Sequence, residues 1–177
     1  MLNFLFCFDN NYNKQAFTSI YSLLSNTDSK LNFYIIHKSQ NTDDFIPYKI
    51  KKHKNLNTVN VYKFKDKANF PNLDDVHVSE ATYYRLFIQN YIKNDIEDLI
   101  YLDSDIICIN NFDLEAKKYI NNLKSPQNII GAKTEFKSGN KEGLERFNIL
   151  NKNYFNAGVL FIDYKKWRQE EVGIKLI

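Results

Sequence analysis

Short continuous apolar runs alternate along this chain with stretches of helical periodicity, and that alternation most narrows the folds open to it. Asn3 to Phe8 reads N-F-L-F-C-F, an unbroken run of the kind a strand shows when both its faces are covered. Ala16, Ile20, Leu23 and Leu24 then fall on one helical face, closed by the polar stop S-N-T-D-S. Leu31 to Ile36 is a second strand, residues from about Asp43 to Lys54 read as a polar helix, and Thr58 to Phe64 as a third strand. Strand, helix, strand, helix, strand predicts an α/β fold: a Rossmann-like, mostly parallel sheet with helices on both faces. After a loop with Pro71, Ser79 is placed to cap a helix whose Tyr84, Phe87, Ile88 and Tyr91 form an apolar stripe. The strand L-I-Y-L-D-S-D follows, then an apolar stretch Ile106 to Ile109, a short helix Asp113 to Leu123 and a strand Asn128 to Lys133. Thr134 to Asn153 is polar and read as a surface segment or small helix; Phe155 to Asp163 is a last buried strand, and K-K-W-R-Q-E-E-V opens a helix. With no internal repeat, low-complexity tract or linker, residues 1–177 are expected to form one domain.

Composition supports this and removes other classes. Hydrophobic residues make up 44% and aromatics 15%, enough for a real core, which excludes general disorder. A formal net charge of +3, with Lys scattered among Asp and Asn, argues against nucleic acid as the main partner. The opening M-L-N-F-L-F-C-F has no basic n-region and its apolar run stops at Asp9, so it is read as a strand of a cytoplasmic protein and not as a signal peptide or membrane span. Cys7 and Cys108 sit in apolar runs without C-x-x-C spacing and are read as reduced, buried fillers.

Chemistry enters at Asp103 and Asp105. In an extended chain residues two apart share a face, so the two carboxylates are expected side by side with Ser104 opposite. At a separation of about 6 Å and an effective dielectric of about 20, two such charges repel by roughly 3 kcal/mol, so partial burial calls for a cation. D-x-D alone is weak evidence, since roughly half of all chains this long contain one by chance. Its place strengthens it: ligands of open parallel sheets gather outside the carboxyl ends of the strands, where Asp9, Asn10, Asn11 and Tyr12 follow the first strand and Asp103 and Asp105 follow the fourth. G-x-G-x-x-G and G-x-x-x-x-G-K are absent, so a phosphate there would be held through a metal, and Mg²⁺ or Mn²⁺ between two carboxylates and a diphosphate meets the need.

The segments F-D-N-N-Y, S-E-A-T-Y-Y-R-L, Y-L-D-S-D and Y-F-N-A-G-V-L-F-I-D-Y-K-K-W, in this order and spanning almost the whole chain, resemble glycosyltransferase family 8, the retaining galactosyl- and glucosyltransferases similar to bacterial lipopolysaccharide enzymes and glycogenin. The resemblance implies a GT-A fold, a UDP-galactose or UDP-glucose donor, a Mn²⁺ or Mg²⁺ ion, and transfer of a hexose with retention to a hydroxyl of a glycan or lipid-linked acceptor, as in lipopolysaccharide or other surface glycan synthesis. Position by position, it implies that Asp9 and Asn11 contact uridine with Tyr12 beside the base, and that Arg85 reaches the diphosphate and donor sugar. It makes Asp103 and Asp105 metal ligands, Ser104 a ribose contact and Asn156 a sugar contact, with Ala157 and Gly158 leaving room for the donor. Plain structural readings stand beside these: Asp9 and Asn11 as helix caps, Arg85 snorkelling to solvent, A-G as close strand packing.

The resemblance also implies segments beyond Ile177, a D-Q-D-like one and an H-x-x-G-x-x-K-P-W-like one whose histidine is a third metal ligand, so the domain is expected to be C-terminally incomplete. A UDP-sugar-binding fragment or remnant impaired in catalysis is the alternative. His37, His53 and His77 match no family position and are read as structural or solvent-facing. No nucleophile beneath the sugar is assigned. The Lys165 to Arg168 stretch is read as a solvated helix flank over Trp167, with peripheral contact at the inner membrane face as a secondary expectation. A haloacid-dehalogenase-like phosphatase also uses D-x-D after a strand, but here Ile107 stands where Thr or Val is expected and no paired-Asp segment follows.

Overall fold

A computed structural model describes residues 1–67, 70, 79–93, 95–134 and 155–176. Its sheet has six strands in the order β3-β2-β1-β4-β6-β5, with β1 Leu2–Phe8, β2 Leu31–His37, β3 Leu56–Lys63, β4 Asp98–Leu102, β5 Ile130–Thr134 and β6 Phe155–Asp163. β1, β2, β3 and β4 are mutually parallel, as the alternation predicts. β6 runs antiparallel to both β4 and β5. Apolar periodicity carries no strand direction, so the sequence was silent on this reversal; its consequence is that the start of β6 lies beside the end of β4.

Side-chain alternation divides the core into two layers. Leu2, Phe4, Phe6 and Phe8 of β1, with Ile100 and Leu102 of β4, pack on one face with Ala16, Ile20, Leu23 and Leu24 of α1 (Asn13–Ser25). Leu5 and Cys7, with Leu99 and Tyr101, pack on the other face under Ala81, Tyr84 and Ile88 and the C-terminal Tyr164 and Trp167. Both layers are apolar, which is why these strands read as continuous apolar runs.

Several elements differ from the sequence reading. The polar helix expected over Asp43 to Lys54 is only α2, Tyr48–Lys51, because Pro47 precedes it and of its residues only Ile50 is buried. Glu80–Asn90 is a 3₁₀ helix and not an α-helix; its buried Ala81, Tyr84 and Phe87 recur every three residues, the period of that helix, with Ile88 buried beside Phe87. Ser79 caps it as expected, its hydroxyl accepting the Ala81 N–H at 3.3 Å. α3 covers Asp113–Asn122. The loop with Pro71, His77, and almost all of the polar stretch Thr134 to Asn153 lie outside the described residues.

The chain then turns into helices Tyr164–Gln169 and Val172–Lys175. Asp163 caps the first by accepting the Lys166 N–H at 2.9 Å. Trp167 is buried as expected, but Lys166 is no solvated flank: its ammonium donates to the carbonyls of Leu123, Ser125 and Asn128 and lies 3.2 Å from the Asp163 carboxylate. These bonds satisfy carbonyls at and just beyond the C-terminal end of α3 and tie it to β6. The second helix reaches the 3₁₀ segment so closely that a Cβ on Gly173 would run into the Leu86 carbonyl oxygen, an approach only glycine permits. Among the described residues no helix is long and apolar enough to cross a membrane.

Candidate active site

The candidate residues sit at the carboxyl end of β1 and β4 and at the reversed start of β6. Asp9 immediately follows β1 and accepts the Asn11 N–H at 2.9 Å with one oxygen and the Ser79 hydroxyl at 2.7 Å with the other. The capping role is therefore realised, and it extends across the fold, since Asp9 bolts the start of the 3₁₀ helix to the end of β1. Each carboxylate oxygen can accept more than one hydrogen bond, so this does not remove Asp9 as a nucleotide contact. Asn11 is exposed and Tyr12 half-buried against the α1 layer.

The expected pleat does not produce the D-S-D geometry. β4 ends at Leu102, and Asp103 to Asp105 form a turn in which the Ile106 N–H donates to the Asp103 carbonyl at 3.3 Å. The burial contrast expected of the three side chains survives: Ser104 is buried, Asp103 half-exposed and Asp105 exposed. Ser104 Oγ is buried and lacks a hydrogen-bond partner among the described residues.

Asp103 is held from three sides. Its N–H donates to the Gly158 carbonyl at 2.8 Å, continuing the β4–β6 ladder into the turn. The Tyr101 hydroxyl donates to Oδ1 at 2.6 Å, and Arg85 Nη1 lies 3.9 Å from the same oxygen. A Cβ on Gly158 would lie 2.9 Å from Oδ2 and 3.0 Å from Asn156 Oδ1, so glycine keeps the space beside Oδ2 clear. The Asn156 carboxamide turns back to accept the Gly158 N–H at 2.7 Å.

Arg85 does not snorkel freely. Nη1 donates to the Ala157 carbonyl at 2.8 Å and the guanidinium lies over the Tyr101 ring, 4.8 Å from its centroid. Arg85, Asp103 and Ala157 are thereby brought to one point by three elements that share nothing in sequence. Sequence reasoning missed Tyr101, which looked like one more apolar residue of the strand. The available signal was its position two before Asp103, together with the need of a buried phenol for a partner.

The remaining titratable groups behave as structure. Burial in an apolar layer drives the Cys7 thiol far above its ordinary range. Cys108 is half-exposed rather than buried, with Sγ 3.1 Å from the Asn110 carbonyl; both cysteines are free. His37 is fully buried, its Nδ1 accepting the N–H groups of Ser39 and Gln40 and its Nε2 facing Asn13 Oδ1 at 3.1 Å. That pattern requires the neutral ring, and burial lowers its pKa to about 4. His53 Nδ1 accepts the Asn55 N–H, also a structural role.

A divalent cation fits these residues. Asp103 and Asp105 offer hard oxygens, and Gly158 leaves Oδ2 of Asp103 accessible. Among the described residues no group of three His, Cys, Asp or Glu side chains is arranged to hold a metal.

The mixed sheet and its helices define a GT-A glycosyltransferase fold. The galactosyltransferase LgtC, crystallised with donor and acceptor sugar analogs, superposes with a TM-score of 0.70 at 24% identity, over 95% of this chain and 60% of LgtC. The glycosyltransferase GlyE of Streptococcus pneumoniae superposes at 0.64 over 99% of this chain and 37% of its own. The chain belongs to glycosyl transferase family 8, whose sequence model matches residues 3–177. A putative glycosyltransferase of Haemophilus influenzae is 32% identical over 99% of this chain, and the lipopolysaccharide 1,2-glucosyltransferase of Escherichia coli K12 is 26% identical over 99%. The chain spans about half the length of these two relatives, 52% of each.

Proposed function

We propose that this chain is the donor-binding part of a retaining hexosyltransferase that moves galactose or glucose from a UDP-sugar to a hydroxyl of a glycan or lipid-linked acceptor. The observation that carries the reading is the convergence of Arg85, Asp103 and the Ala157–Gly158 backbone at the carboxyl edge of the sheet.

In this reading Asp9 and Asn11 meet the uracil edge, Tyr12 lies beside the base, and the Ser104 hydroxyl, without a partner among the described residues, receives the ribose. Arg85 is fixed by Ala157 and Tyr101 and presents a guanidinium to the diphosphate, a geometry suited to phosphate oxygens. Asn156 and Ala157 border the sugar. Asp103 and Asp105 would hold Mn²⁺ or Mg²⁺, which would supply positive charge against the negative charge that grows on the leaving diphosphate. Arg85 adds a second, fixed cation to the same end.

The test titrates UDP, UDP-galactose, UDP-glucose and GDP-mannose against the protein with Mn²⁺, following thermal unfolding and UDP release. At about 100 times Kd a ligand stabilises by about 2.7 kcal/mol, which for a chain of this size raises Tm by about 5–10 °C. UDP species should do this and GDP-mannose should not; equal stabilisation by GDP-mannose overturns the uridine assignment. A second reading, binding of the nucleotide sugar without turnover, is favoured by the chain spanning only about half the length of its relatives. Stabilisation with no UDP release selects it.

A further inference from the structure

Tyr101 links the two charged groups of the candidate site, and its hydroxyl has no packing reason to exist. Its side chain is 1% exposed in the layer formed with Leu5, Cys7, Ala81 and Tyr84. A phenylalanine would fill that space and still lie under the Arg85 guanidinium. The hydroxyl instead donates at 2.6 Å to Asp103 Oδ1, an oxygen that Arg85 also approaches.

We propose that Tyr101 is a positioning residue that locks the Asp103 carboxylate and the Arg85 guanidinium into one rigid unit for binding a cation and a diphosphate. An aspartate side chain is free to turn about two torsions. Pinning Oδ1 from a ring that is itself clamped in the core sets the plane of the carboxylate and presents Oδ2 to the space that Gly158 keeps open. Outer partners of this kind orient a metal's ligands and raise affinity without touching the metal. The ring meanwhile holds Arg85 through its π face, so cation and anion recognition share one support. This inference rests on the proposed function, because it presumes that Asp103 is a ligand.

The experiment compares wild type, Tyr101→Phe and Asp103→Asn without requiring turnover. Mn²⁺ binding is read in the presence of UDP by the loss of the free-ion electron paramagnetic resonance signal, and UDP binding in the absence of metal by calorimetry. Tyr101→Phe keeps every ring carbon and should unfold near the wild-type temperature. It should lose about 10-fold or more in Mn²⁺ affinity while its metal-free UDP affinity stays the same. A merely structural tyrosine would lower both or neither. If Tyr101→Phe binds Mn²⁺ as wild type does while Asp103→Asn does not, the positioning role is overturned and the site stands. If Asp103→Asn also binds Mn²⁺ like wild type, or wild type binds none, the metal reading of Asp103 falls and takes this inference with it.

Discussion

Asp9 and Asp103 stand at the ends of neighbouring parallel strands, and the chain treats their carboxylates differently. Asp9 has both oxygens engaged from within, by the Asn11 N–H and the Ser79 hydroxyl. Asp103 has Oδ1 engaged by Tyr101, while Oδ2 faces a space preserved by a glycine. A carboxylate satisfied on both oxygens is a bolt whose loss costs stability. One fixed by a single oxygen is oriented without being saturated, and what it lacks internally it can take from a ligand. In the proposed reading the β1–β2 side of the sheet is where the fold is secured, and the β4–β6 junction is where binding capacity is kept.

The largest expected effect tests whether the β1–β2 side carries stability. His37, at the end of β2, is neutral in the fold, with a pKa of about 4 against an ordinary 6.5, because burial outweighs the opposing pull of Asp9. The unfolded chain binds more protons between those values, so stability contributed above pH 6.5 is lost as pH falls toward 4, by up to about 3 kcal/mol. Urea unfolding from pH 7 to pH 4 should show the decline, and a His37→Asn variant should flatten it. An unchanged slope in that variant would remove His37 from the account.

Next in size is the corresponding test on the other side. Gly158→Ala places a methyl 2.9 Å from Asp103 Oδ2 and 3.0 Å from Asn156 Oδ1. Both obstacles are side-chain ends that give way, so stability should fall by only about 1 kcal/mol. Mn²⁺-dependent UDP affinity should fall by between about 10- and 100-fold, because the carboxylate that must turn aside is the one Tyr101 has oriented. Loss of stability without loss of affinity would contradict the division between the two sides.

That division was only partly legible in the sequence. The parallel core followed from residue periodicity, since runs such as Asn3 to Phe8 and Leu31 to Ile36 need cover on both faces. Asp103, Arg85 and Asn156 were reachable through motif order. The reversal of β6 was not, because apolar alternation is identical in either direction, yet it is the reversal that sets Gly158 against Asp103. The 3₁₀ helix was hidden because Ala81, Tyr84 and Phe87 suit a period of three while the step from Tyr84 to Ile88 suits 3.6, so the apolar residues read equally well as an α-helix. The turn at Asp103 to Asp105 was hidden by the strand before it, since nothing in D-S-D marks where the pairing of β4 stops.

A smaller effect is expected at Asp9. Asp9→Ala removes a cap and leaves the Ser79 hydroxyl to find water, which should cost about 1 kcal/mol and loosen the start of the 3₁₀ helix. Mn²⁺ affinity should stay close to wild type because the Tyr101 and Gly158 contacts to Asp103 are untouched, while UDP affinity falls if the uracil assignment holds. A drop in Mn²⁺ affinity as large as that of Gly158→Ala would mean that the two ends of the sheet are coupled and not divided.

The smallest effect has the most distinctive sign. Ser104 buries a hydroxyl with no partner among the described residues, and an unsatisfied buried polar atom is a cost to the empty protein. Ser104→Ala removes that cost and should stabilise the ligand-free protein by less than about 1 kcal/mol. The same change removes the hydroxyl assigned to the ribose, so UDP affinity should fall several-fold, by about the worth of one neutral hydrogen bond. Thermal unfolding with and without UDP reads both at once: the variant should melt above wild type when empty and gain less from the nucleotide. If the hydroxyl only fills space, the empty protein changes little and the UDP-induced shift is unaltered. Opposite signs in one substitution are what a residue kept for a ligand at the fold's expense should show.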